Sequence, residues 1–405
     1  MKKNKKIENV KDIKDLKILY LSSFPPRECG IADFSQNTIE AIHEVNPNID
    51  QKVIAINEKN APERDYSALV KWEIEQENLD SYQKTANYIN ESGADVLFLQ
   101  HEYGLFGGFD GIFILKLLEK VKIPIVSFYH SIPITPDAKK RGFRLYILKN
   151  IGKMSSQIIT TLGTGKEVLK KECGLSPKKI SVIYHGGYDI SFPKKEEKEK
   201  LKKKYNFENR FVVLTYGLIT QSKGIDYGLE AIAKLKTKYP NILYIIAGAS
   251  HPMHAKAIEK DYYENLKEKI EKFGIQNNIY LINNFLEKEE LIEYLKMADL
   301  FLIPYLTREQ ISSGVLANAA TTGNCILSTP FPYAKEIIGE NEERGYFINF
   351  EDSNSIAEKI AFLIENPKKI EKTRFQMYQF AKSFTWEKMA EKFIKILQKC
   401  ERSEY

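Results

Sequence analysis

The sequence is poor in cysteine, histidine and tryptophan, and it holds no long apolar run. Its four cysteines, Cys29, Cys173, Cys325 and Cys400, lie far apart with no C-x-x-C pair, which argues against a structural zinc site or a dithiol redox motif. No apolar stretch approaches the roughly 20 residues of a membrane span. The basic start, residues 1–15, lacks the apolar segment of a signal peptide and reads as a solvated tail, so the expected location is the cytoplasm. Only 15 prolines and 22 glycines among 405 residues exclude collagenous and low-complexity chains. The 60 Lys and Arg against 54 Asp and Glu leave a net charge of +6. No nucleic-acid footprint is expected from that balance, while weak attraction to an anionic membrane face stays open. The Lys194–Lys204 run, KKEEKEKLKKK, reads as a solvent-exposed helix.

What is present is ample core material, with 43% hydrophobic residues including 23 Tyr and 22 Phe. Strand-length apolar runs alternate with amphipathic stretches. The first half offers runs at 17–23, 52–56, 95–100, 123–130, 157–161 and 180–186; the second offers 211–217, 242–248, 278–283, 299–305, 325–329 and 345–350. Helical spacing fills the gaps, as in Phe109–Lys120, Asp226–Lys238 and Ile258–Phe273. Runs apolar throughout indicate strands buried on both faces, hence parallel sheets wrapped by helices. The expected class is α/β, with two doubly wound, Rossmann-like domains of about six strands each. Their seam is expected near Gly186–Glu199, giving domains of 1–188 and 189–384. A terminal amphipathic helix, 384–399, must dock on something, and it is expected to return to the first domain.

Ligands of such sheets sit beyond the carboxyl ends of the strands, against helix N-termini. Three loops there stand out. The first ends in Cys29-Gly30, where a glycine lets a phosphate or sugar come close. The second places Lys223-Gly224 six residues after Gly217 at a helix start, a position where lysine is unfavourable unless an anion is near. The third opens a helix with Ser312, Ser313 and Gly314, followed by Ala317, Ala319 and Ala320. Five of the six histidines follow strands: His101, His130, His185, His251 and His254. Five on one edge favour a polar cleft over five separate packing histidines. Glu102 beside His101 joins them as a possible base or structural partner.

FPPRECGIADF, QHEYGLFGGFDG, YGLITQSKGIDYGLEAI, GASHP, PYLTREQISSG and STPFPYAKEII together resemble glycosyltransferase family 4. These are the group 1 retaining glycosyltransferases of the GT-B fold, and the likeness is to a bacterial branch. Strand–Gly–x5–Lys–Gly and the small-residue helix before Gly323 are its more specific marks, and the segment Phe384–Ala390 looks like the family's crossover helix. The resemblance implies two Rossmann-like domains facing each other across a cleft, the terminal helix (385–405) completing the first. The C-terminal domain would bind a nucleotide sugar, UDP- or GDP-linked, and the N-terminal domain a carbohydrate or lipid-linked acceptor.

By similarity, Lys223 would contact the donor diphosphate, Gly30 would lie near the phosphates and sugar, and Ser312–Gly314 would cradle both. His130 would sit near the transferred sugar. Strand-end position, rather than the resemblance, puts His251 near the nucleotide and His101, Glu102 and His185 at the acceptor or in the cleft. Two departures stand out. Leu218 replaces the usual arginine, and Gln310 and Asn318 replace the usual glutamate pair. Amides bind sugar and ribose hydroxyls but supply no negative charge. No Asp-x-Asp pair occurs in the chain, so metal-independent transfer without a cofactor is expected. A sugar-nucleotide-binding or partner-binding module is the alternative, with an epimerase or phosphorylase behind it.

Overall fold

The computed structural model describes residues 10, 16–134, 138–249, 259–284 and 286–401. The chain divides into two compact units, residues 1–185 with 386–405, and residues 186–385.

The first unit runs β1 (Lys17–Ser22), α1 (Gly30–Val45), β2 (Asp50–Asn57), β3 (Val70–Glu75), α2 (Leu79–Glu91) and β4 (Val96–His101). It continues with α3 (Phe113–Leu118), β5 (Ile125–Tyr129), α4 (Ala138–Met154), β6 (Gln157–Thr160), α5 (Gly163–Lys171) and β7 (Ile180–Val182). Seven strands form one sheet in the order β3-β2-β1-β4-β5-β6-β7, and every pairing is parallel. The second unit contains α6 (Lys195–Lys204), β8 (Phe211–Tyr216), α7 (Ile225–Leu235), β9 (Ile242–Ala247), α8 (Glu259–Phe273), β10 (Ile279–Ile282) and α9 (Lys288–Met297). It goes on through β11 (Leu300–Ile303), α10 (Gly314–Thr321), β12 (Ile326–Ser328), α11 (Pro332–Ile338), β13 (Tyr346–Phe347), α12 (Ser353–Glu365) and α13 (Pro367–Ala381). Its six strands pair in the order β10-β9-β8-β11-β12-β13, again all parallel. The last helix, α14 (Trp386–Glu401), belongs to the first unit.

Three expectations need correction. The first unit has a strand the sequence runs did not show, β3. Its residues VKWEIE are exposed or half-buried except Ile74, as an edge strand with one wetted face dictates. The stretch 109–120 is not one helix. A 3₁₀ turn, Phe109–Gly111, precedes α3, because Gly108, Asp110 and Gly111 all take positive φ. The charged helix α6 is not wholly solvated either. Lys198 and Lys202, one turn apart on one face, are buried and close on Asp299 at 2.9 and 2.7 Å.

Helix α14 carries its apolar stripe into the first sheet. Met389, Ala390, Phe393, Ile394 and Leu397 are buried with Phe98, Val126 and Phe128 of β4 and β5 and with Phe34, Ile39 and Ile42 of α1. At roughly 1.5–3 kcal/mol per fully buried large apolar side chain, that stripe is a main part of the first unit's core.

Candidate active site

Both sheets reverse strand order once, between β1 and β4 and between β8 and β11. Loops leaving the carboxyl ends there are the natural ligand sites.

In the second unit, β8 ends at Tyr216 and the chain turns through Gly217 (φ 122°) into a 3₁₀ turn, Gln221–Lys223. Gly224 follows with φ 65°, and a Cβ there would stand 2.0 Å from the Pro304 carbonyl oxygen. Only glycine lets this loop lie on the backbone after β11, where Leu306 N donates to Ser222 O at 2.9 Å. That seating puts Lys223 Nζ 3.9 Å from the centre of the Tyr305 ring, a cation–π contact. Tyr305 is itself buried and stacked on Phe331 at 5.7 Å. Among the described residues no carboxylate is paired with Lys223, so its charge stays available.

The same edge receives α10. The Ser313 hydroxyl caps it, accepting from Leu316 N at 3.2 Å, so it is committed to the helix end as an N-cap. Ala317, Ala319 and Ala320 are fully buried. A Cβ on Gly217 would stand 3.4 Å from Val315 Cγ2, so the first turn of α10 abuts the end of β8. Asn318 Nδ2 donates to the Tyr216 hydroxyl at 2.9 Å, while its Oδ1 is buried without a partner. Gln310 Nε2 donates to Ser312 O at 2.9 Å and so braces its own loop. Glu309 is exposed and Leu218 half-buried. Lys223, Tyr305, the α10 N-terminus with Ser312 and Gly314, and Asn318 are therefore gathered around the β8/β11 switch.

In the first unit, Gly30 is the first residue of α1, and no atom would obstruct a Cβ there within 4 Å. The glycine keeps open space at this helix N-terminus, whose cap is the Cys29 thiol accepting from Ala32 N at 3.4 Å. Phe34 on α1 organises the neighbouring groups. Its ring meets Phe128 at 4.9 Å, His130 at 4.8 Å, His185 at 5.1 Å and Trp386 of α14 at 5.6 Å. His130 is 7% exposed, and its Nε2 lies 2.9 Å from Gln100 Oε1. Burial, then the neighbouring His185 and His101, hold its imidazole well below the ordinary histidine value, so it is neutral near pH 7.

His101 is placed differently from the cleft role expected for it. It is fully buried against Tyr103, Phe106 and Tyr129, with both ring nitrogens unpartnered. Burial pulls it down to about 3, and it lines no open surface. Glu102 accepts from the Ser131 hydroxyl and from Tyr103 N. Burial raises its pKa against those bonds and against Arg144. His185 packs on Trp386 at 5.3 Å. His251 and His254 lie outside the described residues. Gln100, Tyr216 and Tyr305 were not singled out in the sequence. Among the described residues no group of three or more His, Cys, Asp or Glu is set to hold a metal, and no helix is long and apolar enough to cross a membrane.

Residues 197–384, nearly all of the second unit, match the family of glycosyl transferases group 1. An uncharacterised glycosyltransferase of Methanocaldococcus jannaschii is 25% identical over 156 residues, 38% of this chain and 35% of that one. Spore coat protein SA of Bacillus subtilis is 20% identical over 205 residues, 50% of this chain and 52% of that one. The chain thus spans about half or less of these relatives. Among solved structures, the Anabaena protein HepE in complex with UDP superposes with a TM-score of 0.74 at 16% identity, covering 95% of this chain and 100% of that one. Sucrose-phosphate synthase from Thermosynechococcus elongatus gives 0.72 at 15% identity, covering 95% and 99%. The fold is that of the GT-B glycosyltransferases, two Rossmann-like α/β domains built on parallel sheets.

Proposed function

We propose that the protein is a retaining, metal-independent glycosyltransferase. It moves a hexosyl group from a nucleoside-diphosphate sugar, UDP- or GDP-linked, to a glycan, lipid or small-molecule acceptor. The single observation that carries this is Lys223, an unpaired cation held over Tyr305 at the switch point of the second sheet. A cation there, beside the N-terminus of α10, suits a departing diphosphate. The match over 197–384 supports it, as do neighbours crystallised with UDP and UDP-glucose.

On this reading the second unit holds the donor. Lys223 and the backbone N–H groups at Ser312–Gly314 meet the phosphates, and Asn318 meets the nucleoside. Within the first unit, His130 and Gly30 are the candidates for contact with a sugar, and His185 and Glu102 for contact with the acceptor. The anomeric C–O bond to phosphate breaks, the acceptor oxygen bonds the same face, and its proton passes to the leaving phosphate. No cofactor is required, and the work is cytoplasmic, at most on the inner membrane face.

Metal independence is supported by the lack of any Asp-x-Asp pair and by the free lysine. Transfer assayed with UDP- and GDP-hexoses is expected to be unchanged by EDTA; activity lost to EDTA and restored by manganese would refute that part. The binding-module alternative draws on Leu218 and on Gln310, whose amide is tied into its own loop. It predicts donor binding without turnover of any nucleotide sugar.

Peripheral membrane contact has its best footing on α4, which carries Lys and Arg but no acidic residue. Its own Phe143 and Tyr146 (53% exposed) form an aromatic group with Phe109 (71% exposed). Flotation with phosphatidylglycerol vesicles is expected for the wild type and lost in Phe109→Ser/Tyr146→Ser; no flotation of the wild type would remove the contact.

A further inference from the structure

Gln100 bears on His130, whose ligand is the one point here that rests on the transferase reading. Gln100 is fully buried, one residue before the end of β4. It faces Phe128 in the parallel register of β4 and β5. Side chains alternate along a strand, so His130, two residues beyond Phe128, falls on the same face. The His130 ring is then fixed on three sides. Phe34 meets it edge-on at 4.8 Å, Phe128 lies at 4.5 Å, and Gln100 Oε1 stands 2.9 Å from Nε2. Among the described residues Nδ1 has no hydrogen-bond partner.

The amide itself is costly. Gln100 Nε2 is buried with no partner, a loss that leucine or methionine of similar volume would avoid. Packing therefore does not account for a glutamine here, whereas its oxygen does something no apolar side chain can. An acceptor opposite Nε2 keeps the imidazole proton on that nitrogen and leaves the other lone pair free.

We propose that Gln100 is a positioning residue that locks His130 in the Nε2-protonated tautomer, so that Nδ1 is presented as an acceptor to a hydroxyl of the transferred sugar. The titratable neighbours bearing on the ring are His185 and His101. Neither supplies a negative charge, and among the described residues the hydrogen-bond partner of Nε2 is the Gln100 amide oxygen alone.

Wild-type protein reports the tautomer directly. In wild-type protein labelled with ¹⁵N-histidine, the His130 resonances, assigned by their loss in His130→Gln, are expected to show Nε2 protonated and Nδ1 bare at neutral pH. The opposite tautomer would overturn the proposal. Next, Gln100→Leu is expected to scramble the tautomers and lower kcat about tenfold, the scale of one lost hydrogen bond of about 1.4 kcal/mol. KM for the donor should change little. A Gln100→Leu protein that keeps both tautomer and kcat would also overturn it.

Gln100→Glu carries the sharper prediction. A carboxylate facing Nε2–H favours imidazolium, so Nδ1 gains a proton and transfer falls at neutral pH. Activity should return as pH rises past the elevated His130 pKa, a recovery that a merely structural glutamine would not produce. Full transfer by His130→Gln would remove the ligand half of the proposal and His130 from the transferase reading. The NMR result judges the tautomer lock by itself.

Discussion

Lys223→Ala is expected to lower kcat/KM for sugar transfer by about 10²–10³-fold, the usual cost of removing one preorganised group that stabilises developing charge. The expectation comes from what Lys223 does and does not touch. Its Nζ rests 3.9 Å above the Tyr305 ring and is half-buried. No carboxylate neutralises it among the described residues, so the alanine variant leaves no orphaned anion. Its melting temperature should stay within a degree or two of wild type, because only one cation–π contact of about 0.5–1 kcal/mol is lost. A large kinetic loss with intact stability is therefore the signature. Lys223→Arg should recover only part of the rate, because a planar, longer guanidinium keeps the charge but not the position of a compact ammonium. Transfer within a few-fold of wild type in Lys223→Ala would remove the diphosphate role and, with it, the main support for the proposed chemistry.

The largest stability effect is expected at Asp299. Its carboxylate receives Lys198 Nζ at 2.9 Å, Lys202 Nζ at 2.7 Å and Val212 N at 2.8 Å. Asp299→Ala strands two buried ammonium groups and should cost about 3–5 kcal/mol, the range for breaking a buried pair from one side. Denaturant unfolding followed by circular dichroism measures it; a loss under 1 kcal/mol would mean that the lysines escape to water. The pH dependence has a definite sign. Burial pushes the Asp299 carboxyl up, but Lys198, Lys202 and the Val212 N–H outweigh it and hold the pKa below the ordinary 3.8. A folded-state value below the unfolded one gives stability that is present above the unfolded pKa. It is lost as pH falls through the folded value, so wild type should show an acid-side loss below about pH 4 that Asp299→Ala lacks.

The α/β class and the alternation of strand and helix were legible because interior parallel strands are apolar on both faces. Every run chosen at 17–23, 95–100, 211–217 and 242–248 contains a strand of the sheets. The strand at 70–75 was not legible, since Lys71, Glu73 and Glu75 alternate with half-buried residues at a sheet edge. Lys198 and Lys202 misled in the other direction. Composition marks them as solvated, and it is the distant Asp299, with the Arg210 carbonyl for Lys202, that offsets the cost of their burial.

At the candidate site, Gly217, Lys223 and Gly224 could be marked from spacing alone, because positive φ and a helix start leave local traces. Tyr305 could not, as its place under Lys223 depends on two loops from different strands. Gln100 lay beside a noticed histidine. Strand parity puts it on the face opposite His101 and with His130, but using that parity requires the β4–β5 register.

The return of α14 to the first unit bears on how the protein is made. Residues 1–185 leave the ribosome with the apolar face of β4 and β5 uncovered, and the helix that closes it is synthesised only after the whole of the second unit. The second unit is contiguous, from 186 to 385, and has all its parts before α14 reaches the first. Synthesis thus inverts the order of the sequence: the later unit is complete while the earlier one still waits, and chaperones that shield exposed apolar surface have their substrate in the N-terminal half.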